Sequence, residues 1–232
     1  MKKSVSLLYI LSSMQAICFV AMAKADTVLD ADAAGKQIIA YWASDEYKNQ
    51  YLGAVAKISP IILNKCPALK SSKRLVYFLD QFSVDDSGKL KSGMWKESYG
   101  FSGCGNDSAI NFLFRVNTDQ KIIIITALPG ESRSSYILQN DALTNVFISA
   151  STHLKMESKM DCQQAEVINT TVGKIENKQL VKIDPNTVVA KTPWLEVWTV
   201  VACDHKMLVP IQFIPDATGT TFSISTESIV DQ

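Results

Sequence analysis

The chain has 232 residues, of which 47% are hydrophobic and 20% are charged, and it contains 10 Gly and 7 Pro. This composition is typical of globular proteins and excludes a disordered, collagen-like or mucin-like chain. Lys plus Arg and Asp plus Glu number 23 each, so the excess of basic residues that usually accompanies nucleic-acid binding is missing. We therefore expect no nucleic-acid partner.

The first 25 residues have the organisation of a secretory signal peptide. Lys2 and Lys3 precede an apolar stretch without charge from Val5 to Ala23. The sequence Ala23-Lys24-Ala25 then places small residues at positions −3 and −1 of a cleavage site before Asp26. We therefore expect export to the periplasm or the extracellular space, with no membrane span left after cleavage.

Two alternatives to cleavage by signal peptidase stay open. The apolar stretch is about as long as a membrane-spanning helix requires, so an uncleaved anchor is one of them. Cys18 suggests a lipoprotein as the other, but Ile17 stands where a lipoprotein cysteine normally follows Gly, Ala or Ser.

Removal of the signal peptide leaves an even number of cysteines: Cys66, Cys104, Cys162 and Cys203. An even number in an exported chain suggests two disulfides, for which three connectivities exist. Their order along the chain favours Cys66–Cys104 and Cys162–Cys203. No two cysteines form a C-x-x-C pair and the chain has only 2 His, so we expect neither a metal site nor another cofactor.

The sequence pattern of the first half of the chain predicts helices followed by strands. Apolar residues recur at helical spacing from Asp30 to about Ile58. The clearest hairpin joins the alternating segment Ile110–Val116 to Lys121–Leu128. A further helix is predicted over Asp141–Thr152.

The C-terminal part predicts a β-meander. Two strands, Trp194–Cys203 and Lys206–Ile214, are separated by Asp204-His205. If these two residues form the turn, Trp198 faces Ile211 and the hairpin has one apolar face. Pro210 cannot donate to a β-ladder, which indicates that its strand has a free side at that point.

Together these elements predict an α+β fold, in which N-terminal helices pack on an antiparallel β-meander and a small C-terminal antiparallel β unit follows. We divide the chain into a signal peptide (1–25), an α+β region (26–155) and a β-rich C-terminal region (156–232). The sequence leaves open whether the two regions share one core. We find no convincing repeat with a period of about 20–50 residues.

The best candidate for a ligand site is the segment around Glu97. Trp95, Glu97 and Tyr99 fall on one face of a predicted strand, and a carboxylate beside aromatic rings suits a polar ligand such as a sugar. Trp198 is a further aromatic candidate. The alternative is that neighbouring side chains merely shield the Glu97 carboxylate.

The sequence also offers one catalytic hypothesis. Ser102 lies in Gly100-Phe101-Ser102-Gly103-Cys104, which approaches the G-x-S-x-G pattern of serine hydrolases but ends in Cys. His153 or His205 would have to act as its base, because catalytic triads are assembled in space and not in sequence.

Three functional hypotheses follow from the sequence. The first is a secreted or periplasmic, disulfide-stabilised module that is not an enzyme and binds an envelope ligand or protein of unknown identity. The second is a hydrolase that uses Ser102 with a histidine base. The third is assembly through an exposed strand edge near Pro210 or Thr220–Thr226.

Overall fold

A computed structural model of the chain describes residues 28–55, 70–102, 108–188 and 191–232. The predicted signal peptide, Cys66 and Cys104 lie outside the described residues. Contacts divide the chain into a first unit that extends to Ala127 and a second unit from Leu128 to Gln232.

The first unit begins with two helices, α1 (Val28–Trp42) and α2 (Asp45–Val55). The helix predicted over Asp30–Ile58 is therefore interrupted, and the interruption has a local cause. The Tyr47 backbone N–H donates to Ser44 Oγ over 3.1 Å, so Ser44 acts as an N-terminal cap for α2.

The strands of the first unit form a four-stranded antiparallel sheet and a small two-stranded one, within the described residues. The four-stranded sheet has the order β1-β4-β5-β6. It includes the predicted hairpin, in which Val116 pairs with Ile122. The strands are β1 (Lys70–Phe78), β2 (Ser83–Val84), β3 (Leu90–Ser92), β4 (Met94–Ser102), β5 (Ser108–Val116) and β6 (Ile122–Ala127).

One apolar cluster joins the helices of the first unit to one face of its sheet. Ile38 and Tyr41 of α1 are buried in the same cluster as Phe112 and Phe114 of β5. The rings of Trp95 and Phe114, which are cross-strand neighbours on β4 and β5, stack with centroids 4.8 Å apart. This face of the sheet is therefore the inner face of the first unit.

The second unit has one long helix, α3 (Tyr136–Ser158). It is longer than the predicted Asp141–Thr152, because Ser135 caps its start by accepting a hydrogen bond from the Leu138 backbone N–H. It ends where Lys159 adopts a left-handed conformation with φ of 54°.

A six-stranded sheet packs against α3. Its strand order is β11-β10-β9-β7-β8, and β12 pairs with β10 beside β11. Buried residues of α3, such as Val146 and Ala150, share an apolar cluster with Val200 and Val209 of the sheet. The strands are β7 (Ala165–Glu176), β8 (Gln179–Lys182), β9 (Trp194–Ala202), β10 (His205–Pro215), β11 (Thr220–Ile224) and β12 (Val230–Asp231).

The turn between β9 and β10 lies one residue earlier than the sequence indicated. Cys203 and Asp204 have positive φ values of 46° and 67°, as a two-residue hairpin turn of the primed type requires. Trp198 therefore pairs with Val209 and not with Ile211. Because the register differs by two residues, the predicted apolar face is retained.

The predicted α+β class with mainly antiparallel sheets is confirmed. The division of the structure differs from the predicted division between residues 155 and 156, since α3 packs in one cluster with the sheet that follows it. Within the described ranges, no helix has both the length and the hydropathy that crossing a membrane would require.

Gly130 allows the segment before α3 to lie against β7. The backbone of Thr170 accepts a hydrogen bond from Glu131 N–H over 2.7 Å and donates one to Pro129 O over 2.8 Å. Gly130 has a φ of +94°, and a Cβ atom at this position would lie 2.2 Å from the Thr170 carbonyl oxygen. Only glycine fits this approach without a backbone shift.

We expect the substitution Gly130→Ala to lower the free energy of unfolding of the second unit by about 2 kcal/mol or more, because it adds a clash and backbone strain. Gly219→Ala is the matched control in the same unit, since nothing lies within 4 Å of its added Cβ. We expect that control to change stability by less than about 0.5 kcal/mol. Urea unfolding followed by circular dichroism measures both, and equal effects would contradict this account.

Candidate functional site

Strand β4 directs the predicted site residues towards the helices of the first unit. Because side chains alternate along a strand, Trp95, Glu97 and Tyr99 share one face. They belong to the inner face, where Trp95 and Glu97 have no exposed surface and Tyr99 is half-buried. Glu97 thus places a carboxylate in the core of the unit.

The Glu97 carboxylate is surrounded by hydrogen-bond donors from its own unit. The indole N–H groups of Trp42 and Trp95 donate to Oε1 over 2.7 and 2.9 Å. The hydroxyls of Tyr47 and Tyr99 donate to Oε2 over 2.8 and 2.7 Å. A buried carboxylate needs such partners, because an unpaired charge in an apolar interior is costly.

Arg74 provides the counter-charge for Glu97. Its Nη2 lies 2.9 Å from Glu97 Oε1, and its guanidinium lies 4.7 Å from the ring centroid of Trp42. Burial lowers the pKa of Arg74, but the nearby Glu97 carboxylate contributes to a net rise, so the guanidinium stays charged. Within the described residues, its buried Nε and Nη2 have no aligned hydrogen-bond acceptor, so the ion pair acts through charge and stacking.

The second unit contains a comparable carboxylate, Glu196 on β9, which also has no exposed surface. The indole N–H groups of Trp194 and Trp198 each donate to it over 3.0 Å. Ser132 Oγ lies 2.8 and 2.9 Å from its two oxygens. The backbone N–H groups of Arg133 and Ser134 complete the set over 2.9 and 3.1 Å.

All 4 tryptophans of the chain therefore donate their indole N–H to one of these two glutamates. The donors differ in origin between the units. Around Glu97 they are side chains of α1, α2 and β4, together with the Arg74 cation of β1. Around Glu196, they include the backbone that leads into α3, and no Lys, Arg or His among the described residues forms an ion pair with it.

A ten-residue pattern in the sequence carries both sites. It reads Trp-x-Glu-x-aromatic-x₄-Cys and spans residues 95–104 and 194–203, so the two glutamates are 99 residues apart (196 − 97). In each unit the residue 15 positions after the glutamate, Phe112 or Ile211, is its partner on the next strand. Glu196 was not predicted from the sequence, because a spacing of 99 residues lies outside the range of about 20–50 residues that is typical of repeat proteins. This longer repeat is the signal that identifies it.

The structure does not bring all the predicted ligand-site residues together. Trp95, Glu97 and Tyr99 form one cluster in the first unit, whereas Trp198 belongs to the Glu196 cluster of the second. In both clusters the carboxylate oxygens already accept hydrogen bonds from groups of their own unit. The assignment of these residues to ligand binding stays a prediction.

The residues of the hydrolase hypothesis belong to different units. Ser102 ends β4 in the first unit. His153 is buried on α3 in the second unit, where its Nε2 lies 3.3 Å from Asp231 Oδ1. His205 begins β10 and is exposed.

A disulfide joins Cys162 to Cys203, with Cα atoms 5.9 Å apart, and the predicted bond between them is confirmed. It connects the segment after α3 to the turn after β9, 41 residues further along the chain. A cross-link over such a loop restricts the unfolded chain and so stabilises the fold.

Comparisons with models of protein families, with curated proteins and with solved structures found no match to this chain. Among the residues that the structure describes, no group of three or more His, Cys, Asp or Glu side chains is arranged to hold a metal ion. Two saturated, buried carboxylates are suited to fixing strands and helices in place.

We expect Glu97→Gln and Glu196→Gln each to lower the free energy of unfolding by about 3–5 kcal/mol or to prevent folding of the affected unit. In the second unit a glutamine NH₂ would face an indole N–H, which can only donate, in either orientation, because Trp194 and Trp198 donate to different oxygens. In the first unit the neutral amide would leave Arg74 buried without a counter-charge. Urea unfolding monitored by tryptophan fluorescence measures the change. The control Glu176→Gln alters a half-exposed carboxylate, and a loss of similar size there would contradict this role of burial.

The tyrosines around Glu97 should resist ionisation. Burial, and then the Glu97 charge, raises the pKa of Tyr51 to about 12 and raises the pKa values of Tyr47 and Tyr99 further. Unfolded tyrosine loses its proton near pH 10. The neutral phenols therefore contribute stability that is complete below about pH 10 and is lost as the pH rises through their folded values.

In an alkaline titration followed by tyrosinate absorbance, we expect these three tyrosines and Tyr41, whose pKa is also raised by burial and by the nearby Glu46 and Glu97 charges, to ionise only together with unfolding of the first unit. They are four of the 7 tyrosines of the chain. The same chain in concentrated guanidinium should titrate completely near pH 10. Complete titration near pH 10 in the still-folded protein would show that the cluster is open to solvent.

Proposed function

We propose that the chain is an exported, disulfide-stabilised binding protein without catalytic activity, built from two tandem modules of one design. In each module helical elements pack on an antiparallel sheet, and a glutamate between two aromatic residues fixes that packing. The N-terminal helices on their meander form the first module, and α3 with the C-terminal sheet forms the second. An envelope ligand or protein outside the reducing interior of the cell would be its partner.

The observation that carries this proposal is the saturation of both carboxylates by donors of their own unit. Glu97 and Glu196 are carboxylates that lie among aromatic side chains, a setting that also occurs in catalytic sites. Their oxygens are fully engaged and have no exposed surface, so a substrate could not reach them without unfolding. This favours a framework role for both residues, with binding located elsewhere on the surface.

The repeated pattern also supports a second disulfide. Cys203 lies seven positions after Glu196 and bonds to Cys162, which precedes the first strand of its unit. Cys104 likewise lies seven positions after Glu97, and Cys66 precedes β1. The same design in both modules would join Cys66 to Cys104.

Mass spectrometry tests the proposed export and the proposed disulfide bonds together, when it is applied to the protein as its expression host processes it. We expect a mature chain that begins at Asp26 and carries the bonds Cys66–Cys104 and Cys162–Cys203. Free thiols, or Met1 still attached, would contradict export.

A thermal-shift screen of the same material against envelope sugars, peptides and lipid extracts tests binding, since a ligand stabilises the folded state. If none of these fractions stabilises the protein, the result would count against a binding function.

The alternative is a hydrolase in which Ser102 is activated by a histidine. The short distance between His153 and Asp231 supplies one element of such an arrangement, because an acidic residue commonly orients the catalytic base. If an ester, amide and glycoside screen finds activity, Ser102→Ala and one of the variants His153→Ala and His205→Ala should abolish it. Activity that survives the serine variant would exclude this mechanism.

A further inference from the structure

The outer face of the second sheet carries a groove where the edge of the sheet is interrupted. Strand β11 pairs with β10 as far as Ile211 and Ile224, and β12 resumes the pairing at Leu208 and Val230. Residues 225–229 leave the sheet between these points through a 3₁₀ turn over Thr226–Ser228.

Pro210 lies opposite this interruption. It pairs with Val197 of β9, and neither β11 nor β12 has a ladder partner for it on the other side. A proline cannot donate to a ladder, so it is compatible with a position where the neighbouring strand departs. The free side that the sequence predicted for Pro210 thus coincides with the groove.

The groove has a volume of about 270 Å³, close to the lower limit of about 300 Å³ for small-molecule sites. A single ring-sized ligand therefore fits it better than a large cofactor. The apolar part of its lining includes Leu195, which is more than one-third exposed, and the ring of Pro210. The polar part includes Gln212, Ser223, Ser225 and Ser228.

The neutral polar groups of the lining both donate and accept hydrogen bonds. Among the described residues, no side-chain hydrogen bond engages Gln212, Ser223, Ser225 or Ser228. Hydroxyls and an amide match the hydroxyls of a sugar, which also donate and accept. The proline ring and the leucine side chain offer an apolar surface to the C–H face of a pyranose.

The charge balance of the groove suits a neutral ligand. Lys174 also lines the groove, but its ammonium group is already paired with the Glu176 carboxylate. The remaining polar lining named above is neutral at pH 7. A neutral ligand therefore meets complementary groups without displacing an existing ion pair.

We propose that this groove binds a single neutral pyranose ring, either free or as one residue of an envelope glycan. The proposal rests on the proposed binding function and gives it a location and a ligand class. It places the site on Gln212, Ser223 and Ser225. The aromatic residues that the sequence analysis named as candidates for ligand binding do not line this groove.

The test is a titration of the isotope-labelled protein, as processed by its expression host, with glucose, galactose and N-acetylglucosamine and with their β-1,4-linked trisaccharides. We expect at least one sugar to shift the amide NMR signals of Gln212, Ser223, Ser225 and Ser228 with millimolar affinity, as is usual for so small a ligand. The trisaccharide arm distinguishes a glycan residue from a free sugar, because only the former gains affinity with length.

Two tryptophan variants locate the binding. Ser223→Trp fills the groove and should abolish the shifts, whereas Thr221→Trp changes an exposed residue of the same strand and face that does not line the groove. We expect the second variant to bind as the unaltered protein does, and Gln212→Ala to weaken binding about three- to tenfold. Unchanged NMR signals of the core show that each variant is folded.

Several results would overturn the proposal. No shift with any sugar, shifts outside the groove, or binding that survives Ser223→Trp would each do so. If the sugars fail while an envelope fraction still stabilises the protein in the thermal-shift screen, the groove assignment is wrong and the proposed binding function stands. If both fail, neither proposal survives.

Discussion

A buried carboxylate that must be completely paired is the constraint on which each unit of this protein depends. Removing one partner of a buried charge costs about 3–5 kcal/mol, and a domain of this size has about 5–15 kcal/mol in total. Loss of one partner of either carboxylate would therefore remove a large part of the free energy of unfolding of its unit. Each carboxylate acts on specific neighbours, because hydrogen bonds have direction and hydrophobic contacts do not. The four tryptophans are placed accordingly: each adds a large apolar ring to a core and aims its one donor at a glutamate.

The two units pair their buried carboxylates with different groups. In the first, α1 supplies Trp42 and α2 supplies Tyr47, so the side chains of two helices are tied directly to the sheet. In the second, the backbone of Arg133 and Ser134 supplies the donors, so the segment that enters α3 is tied instead. The second solution needs no cation, because peptide N–H groups and hydroxyls around a carboxylate stabilise its charge. It needs Gly130, since the segment must approach β7 closely.

The sequence predicted those parts of the fold that depend on local pattern. The alternation in Ile110–Val116 identified a strand, and the helical spacing around Val146 identified a helix. Ends and registers were less accurate, because they depend on single residues such as Ser44, Ser135 and Cys203, whose capping or turn conformation does not follow from hydropathy. The α3 helix was assigned to the first region because the sequence does not reveal which sheet covers its apolar face.

The candidate site shows the same division between local and long-range information. Alternation correctly placed Trp95, Glu97 and Tyr99 on one face of a strand, but it did not reveal that Arg74, Trp42 and Tyr47 would surround the carboxylate. Those partners lie 23 to 55 residues earlier in the chain (97 − 74 and 97 − 42), and only tertiary packing brings them together.

An aromatic residue beside a carboxylate is therefore an ambiguous signal of function. It describes an open ligand site and a closed structural network equally well, and solvent exposure decides between them. In this protein the aromatic pairs are closed, whereas the unpaired hydroxyls lie on an outer sheet face where β11 departs beside Pro210. Aromatic residues therefore indicate the framework of each unit and do not indicate where its solvent-exposed polar groups lie.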